Sequence, residues 1–203
     1  IQPIGRWVLK KACEEFAEWK RARTCDEAVP GHVTLHVNVS RLQLSDLTLV
    51  STISEAMEEN GIEPLELTIE VTESCIIEDD ALAQRVFAEI KALGVRLCID
   101  DFGVGYSSLG HLRRFPFDCL KIDRSFVAQL DDGTGEPDIL LEAIASLAAS
   151  LGLETVAEGI ETESQAERVR SIGCPLAQGF LFARPAPIET FLHPAAALSP
   201  ALC

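Results

Sequence analysis

Positive charge is scarce in this sequence: Lys and Arg together number 17 against 32 Asp and Glu, for a formal charge of −15 at pH 7. Affinity for a polynucleotide comes mainly from basic side chains displacing counterions, so a non-specific nucleic-acid role is excluded. An anionic ligand would need bound cations or a few well-placed basic groups. Long apolar runs are also missing. The longest nearly apolar stretch, Ile139 to Leu153, contains Glu142 and falls short of the ~20 residues a spanning helix needs, so no membrane segment is expected in this chain. The seven cysteines (Cys13, Cys25, Cys75, Cys98, Cys119, Cys174 and Cys203) form no C-x-x-C pair, and their odd number and wide spacing argue against a disulfide framework. A reducing, cytoplasmic setting fits that usage. None of the four histidines (His32, His36, His111, His193) stands in an H-E-x-x-H pair, which removes the helical zinc-hydrolase pattern. No low-complexity linker and no short repeat interrupts the chain. With 47% hydrophobic and 24% charged residues it reads as one globular domain over residues 1–193 with a tail over 194–203.

What the sequence does have is alternation of two kinds of segment. Helical periodicity predicts helices near 4–20, 46–60, 80–93, 106–114, 138–151 and 162–172, the first placing Ile4, Trp7, Val8, Ala12, Phe16 and Trp19 on one broad apolar side. Strands are predicted near 32–40, 65–72, 95–101, 118–123, 154–160 and 177–183. Repeated β-then-α units imply a parallel sheet, either open and doubly wound or closed as a barrel.

Successive side chains of a strand point to opposite faces, and this separates two rows. Val33, Leu35, Val37 and Val39 oppose His36 and Asn38; Leu65, Leu67, Ile69 and Val71 oppose Thr68 and Glu70. Val95, Leu97 and Ile99 oppose Cys98 and Asp100, and Leu120 and Ile122 oppose Cys119 and Lys121. Each aliphatic row suits a layer of helices. Each opposite row carries a polar group near the strand's C-terminal end, where (β/α) barrels assemble their sites, so these groups are expected at one end of the sheet.

Asn38, Glu70, Asp100 and Asp101 form an all-oxygen set suited to Mg²⁺ or Mn²⁺, whereas zinc would want His or Cys. Two consecutive carboxylates repel, so keeping both ionised near one point calls for cations. The run Asp101-Phe102-Gly103-Val104-Gly105-Tyr106-Ser107-Ser108 departs from a dinucleotide-binding fingerprint because Ser108 replaces its third glycine. Gly103 and Gly105 are read equally as a tight turn or as a ligand contact. Lys121 is read either as a snorkelling lysine or as a group that positions water or neutralises phosphate. Glu158, Glu161 and Gln178, at later strand ends, stand between hydrogen-bonded structure and site.

Taken in order, these segments resemble the EAL-domain family of cyclic-di-GMP phosphodiesterases. The likeness lies in Pro3 to Leu9, Val37-Asn38-Val39-Ser40, Leu67 to Ser74, Asp100 to Leu109, Leu120 to Val127, Ala157 to Glu161, and Gly173-Cys174 through Gln178-Gly179-Phe180. The resemblance implies a TIM-like (β/α) barrel and metal-dependent hydrolysis of cyclic-di-GMP to linear pGpG at a two-metal site. It implies Asn38, Glu70, Asp100 and Asp101 as metal ligands, with Asp100 bridging. Lys121 and Glu158 are implied in orienting or deprotonating water, Gln178 in the water network, and Glu73 and Glu161 in support. It also implies a homodimer made through the segment Phe102 to Ser108, and a sensory or diguanylate-cyclase-like domain upstream. Val104 and Phe180 depart from the family's usual residues. The Glu-Ala-Leu signature does not occur in this sequence, and six strands are read where a full barrel has eight. The chain, opening on Ile1, is therefore expected to be the larger, C-terminal part of such a domain, slow to hydrolyse by itself. The alternatives are a catalytically inactive EAL domain acting as a cyclic-di-GMP receptor or protein-interaction module, and another metal-dependent barrel enzyme.

Overall fold

Leu9, Cys13, Phe16 and Ala17 recur at helical spacing, and this stripe, with Trp19, is what the first helix, α1 (Gln2–Ala22), buries. The computed structural model describes residues 2–22, 33–77, 80–104, 109–130 and 136–191. The stripe differs from the expected one: Phe16 and Trp19 are inside, but Ile4, Trp7 and Val8 are 66%, 65% and 41% exposed. Four residues before Leu9 the buried line passes through Gly5, where a β-carbon would lie 2.2 Å from the Gln43 amide nitrogen. Gly5 thus stands on the buried line against the Gln43 side chain, and Ile4, Trp7 and Val8 lie off it.

The described residues fall into two compact units, one within Ile1–Leu97 and Ala186–Ala196, the other within Cys98–Pro185. The first contains α1, β1 (Leu35–Asn38), α2 (Arg41–Leu44), α3 (Leu49–Asn60), β2 (Leu67–Thr72), α4 (Ser74–Ile77) and α5 (Asp80–Ala92), with short 3-10 turns at Pro64–Glu66 and Ile188–Phe191. Strands β1 and β2 are parallel, with Leu35 opposite Leu67, Val37 opposite Ile69 and Asn38 opposite Glu70. Leu67, Ile69 and Val71 are completely buried. At about 1.5–3 kcal/mol for each buried aliphatic side chain, this row fixes the strand's orientation, since a one-residue slip would exchange it for Thr68 and Glu70.

The helix expected over 46–60 starts late, at Leu49. Asp46 accepts hydrogen bonds from the Thr48 amide at 2.9 Å and hydroxyl at 2.7 Å, which hold a turn ahead of the first helical residue. The separate turn of helix α2 was not anticipated; the Gln43 side chain folds back onto the amide of Ser40 at 3.1 Å to cap it.

The second unit is built on β3 (Arg96–Phe102, from Cys98 onward), β4 (Cys119–Ile122), β5 (Glu154–Ala157) and β6 (Leu176–Ala177), connected through α6 (Leu109–Arg114), α7 (Arg124–Val127), α8 (Glu136–Leu151) and α9 (Glu163–Ile172). All three strand pairs are parallel, and neighbours follow chain order. That order is the winding of a barrel; a doubly wound sheet reverses it at a switch point. The expected strand over 177–183 ends after two residues. The chain turns at Gly179, whose carbonyl accepts from the amides of Phe182 and Ala183, while the Leu181 amide reaches the Ile160 carbonyl at 3.0 Å. A β-carbon at Gly179 would lie 2.1 Å from that carbonyl oxygen, so only glycine admits this approach.

Candidate metal centre

Two adjacent aspartates in a regular strand would point to opposite faces, yet the carboxylates of Asp100 and Asp101 face one region. The register of β3 on β4 explains it. Ile99 pairs with Leu120 and Phe102 with Ile122, so β3 advances three residues where β4 advances two. This is a β-bulge, and Asp101 takes a left-handed backbone at φ 54°, a conformation aspartate tolerates better than most side chains. Strain at the end of a strand, beside charged groups, is a recurrent feature of functional sites. The following residue but one, Gly103, has φ 98°, and a β-carbon there would lie 2.6 Å from the Phe126 ring. The tight-turn reading of Gly103 therefore has a physical basis, while Gly105 lies outside the described residues.

Lys121 comes from the middle of β4 and is 6% exposed. Its Nζ lies 2.6 Å from Glu158 Oε1 and 3.1 Å from Asp100 Oδ1. Glu158 follows β5 directly, its amide donating to the Ile122 carbonyl at 3.0 Å, which continues the β4–β5 ladder one residue beyond the strand. Ligand atoms of Asp100, Asp101 and Glu158 all lie within 4.8 Å of one another. Partial burial pushes the Asp101 carboxyl above the usual carboxylate range, the charges of Asp100 and Asp123 add to this, and Lys121 and Arg124 oppose it. Three carboxylates around one ammonium leave negative charge uncompensated. An all-oxygen set in that condition fits a hard divalent cation, as Mg²⁺ and Mn²⁺ are.

The remaining expected residues are placed as follows. Gln178 follows β6; its amide donates to the Ala157 carbonyl at 2.8 Å and its carbonyl accepts from Ile160 at 3.0 Å, so its backbone sits beside the segment carrying Glu158. Glu161 is exposed at the start of α9, its amide donating to Gln165 Oε1 at 2.8 Å. In the first unit, Asn38 ends β1 opposite Glu70, and the Val39 amide donates to the Glu70 carbonyl at 2.8 Å. Glu70 is 3% exposed and Glu73, one residue past β2, is also buried.

Two features escaped the sequence reading. Asp123, two residues beyond Lys121, accepts from the Ser125 amide at 2.9 Å and caps α7. Burial acts to raise its carboxyl, but the bonds from Ser125 and Arg124 outweigh it and hold the group below the ordinary range. The second feature is His36, whose Nδ1 lies 2.7 Å from Glu70 Oε1. Its spacing of two from Asn38, on the polar row of the strand, is the sequence signal that marks it.

Comparison with known proteins follows the same lines. The family model described as "EAL domain" matches residues 1–185. The bifunctional diguanylate cyclase/cyclic di-GMP phosphodiesterase MucR of Pseudomonas aeruginosa is 40% identical over 192 residues, covering 95% of this chain and 27% of MucR. Among solved structures, the EAL domain of Mycobacterium smegmatis DcpA superposes with a TM-score of 0.86 at 37% identity, covering 97% of this chain and 86% of that one. The manganese/cy-diGMP complex of Klebsiella pneumoniae BlrP1 gives 0.75 at 31% identity, covering 90% and 45%. The chain spans about a fifth to a third of the length of the curated relatives it matches.

Proposed function

Because the chain belongs to the EAL-domain family, whose TIM-like barrel supplies the fold of its six parallel strands, we propose that it hydrolyses cyclic-di-GMP to linear pGpG with Mg²⁺ or Mn²⁺. The observation that carries this reading is Lys121 buried between Asp100 and Glu158, with Asp101 brought alongside by the bulge. Support for the substrate and cations comes from the relatives: MucR is a cyclic di-GMP phosphodiesterase by name, and BlrP1 was solved with manganese and cy-diGMP.

Asp100 and Asp101 are assigned as cation ligands, and Asn38 and Glu70 carry the same assignment in their own unit. Bound cations would withdraw charge from the phosphodiester and stabilise the attacking and leaving oxygens. Glu158 takes the proton of the attacking water. Lys121 holds that carboxylate in one orientation, aimed for its work as a base. Gln178 orients water from the neighbouring strand end, and Glu73 and Glu161 brace the loops after β2 and β5. Gly103 sets the turn beyond Asp101. The reading carries a cytoplasmic location, a homodimer and an attached sensory or cyclase-like domain with it. The greater length of the relatives and the cyclase half of MucR's name favour the last. Among the described residues no helix is long and apolar enough to cross a membrane.

The test is turnover of cyclic-di-GMP by the full-length protein, followed by chromatography of the nucleotides. Formation of pGpG with Mn²⁺ or Mg²⁺, its absence in chelator and its loss in Glu158→Gln are expected. Tight binding of cyclic-di-GMP with no product under either cation would replace this reading by that of a receptor.

A further inference from the structure

The carboxylate of Glu70 is almost completely buried, with 4% of the side chain exposed, and a carboxylate in that position must be held by hydrogen-bond donors. One of them is an imidazole. His36 sits on β1 two residues before Asn38, and its Nδ1 lies 2.7 Å from Glu70 Oε1, across the parallel β1–β2 pair. Its other nitrogen, Nε2, lies 3.0 Å from Thr34 Oγ1. An ionised carboxylate only accepts, so Nδ1 carries the proton and donates to Glu70. In the neutral ring Nε2 is then the acceptor of a hydrogen bond that the Thr34 hydroxyl donates. The three groups therefore form a directed chain from Thr34 through His36 to Glu70. Thr34 immediately precedes β1 and His36 lies in it, so the Thr34 hydroxyl and the strand backbone together aim the ring before any ligand arrives.

From this geometry we propose that His36 is a positioning residue for the cation-binding carboxylate of Glu70, fixing the plane of that carboxylate and thereby setting the protein's affinity for a divalent cation. The inference rests on the assignment of Glu70 as a cation ligand made above. Its physical basis is general: partners hydrogen-bonded to a ligating group hold it in the bound orientation, and their removal commonly weakens metal binding about 10- to 100-fold. Without the imidazole, Glu70 would have to be re-oriented on binding, and the buried Oε1 would lose a short hydrogen bond. His36 itself need not touch the cation or the substrate.

The experiment is direct Mn²⁺ binding to the full-length protein without nucleotide, read from the electron paramagnetic resonance signal of free Mn²⁺, with thermal unfolding in chelator as a control on folding. His36→Ala is expected to weaken Mn²⁺ binding about tenfold or more. His36→Asn is expected to restore most of the loss, because its amide NH₂ can donate from nearly the position of Nδ1 while filling no more of the ring's volume than alanine plus that group. A merely structural imidazole would lower the unfolding temperature in both variants and leave Mn²⁺ affinity the same in each. Wild-type affinity in His36→Ala alongside weakened binding in Glu70→Gln overturns the role of His36 and leaves the Glu70 assignment standing. Unaltered binding in Glu70→Gln overturns the assignment and the inference with it.

Discussion

Replacing Lys121 by methionine tests the centre most directly, because it keeps most of the unbranched side chain and removes the ammonium, with its charge and its hydrogen-bond donors. In the cation-free protein Lys121 compensates Asp100 at 3.1 Å and Glu158 at 2.6 Å, with both carboxylates largely buried at 13% and 17% side-chain exposure. Removing one partner of a buried pair costs about 3–5 kcal/mol, and the residual exposure of the carboxylates argues for the lower end, about 3 kcal/mol. For a domain of this size each kcal/mol moves the melting temperature by about 2–4 °C, so a fall of roughly 6–12 °C is expected in chelator. With the ammonium gone, Asp100, Asp101 and Glu158 hold three carboxylates whose ligand atoms lie within 4.8 Å, and a divalent cation should compensate them more strongly than before. Added Mn²⁺ should therefore raise the melting temperature of Lys121→Met by more than it raises that of the wild type. Turnover should not recover, since Glu158 loses the group that orients it; a fall of about 10²–10⁴ is expected for a misplaced general base. The assays are differential scanning fluorimetry over a Mn²⁺ series and pGpG formation. A variant that melts within 2 °C of the wild type in chelator and gains nothing extra from Mn²⁺ refutes the electrostatic account of Lys121.

Asp100→Asn should abolish Mn²⁺- and Mg²⁺-dependent hydrolysis with the fold retained, and full turnover at saturating cation would remove Asp100 from the ligand set. Gly179→Ala should destabilise the protein by about 3 kcal/mol or more, because its β-carbon would meet the Ile160 carbonyl oxygen at 2.1 Å and backbone must shift; chemical denaturation with an unchanged midpoint would contradict this. The raised Asp101 carboxyl binds its proton more tightly in the folded than in the unfolded protein, so in chelator its contribution to stability increases as pH falls through and just above the ordinary carboxylate range. Asp101→Asn should remove that increment, and identical pH–stability curves for the two proteins would show the shift to be absent.

Much of the architecture was legible in the sequence because periodicity is a local property. Five of the expected strands match β1 to β5 to within a few residues, and most of the aliphatic rows are buried, Leu67, Ile69 and Val71 completely; Leu65, expected in the same row, falls in the turn before β2 and is 61% exposed. Residue chemistry singled out Asp100 and Asp101, and the family resemblance added Lys121 and Glu158; the fold of the second unit brings the four together. Interactions between segments distant in the chain were not legible. Which side of α1 is buried, with Gly5 packed on the Gln43 side chain, and where the sixth strand stops, with Gly179 against the Ile160 backbone, both depend on contacts that no local pattern encodes. The same holds for the site. That neighbouring aspartates share one region depends on a bulge set by the register of β3 on β4, and that His36 serves Glu70 depends on the pairing of two strands separated by α2 and α3. Alternation and the order of the motifs determined which polar groups stand at the strand ends, while the distances between them were decided by tertiary packing, because hydrogen-bond and ion-pair energies depend on separations of a few ångströms that sequence spacing leaves open.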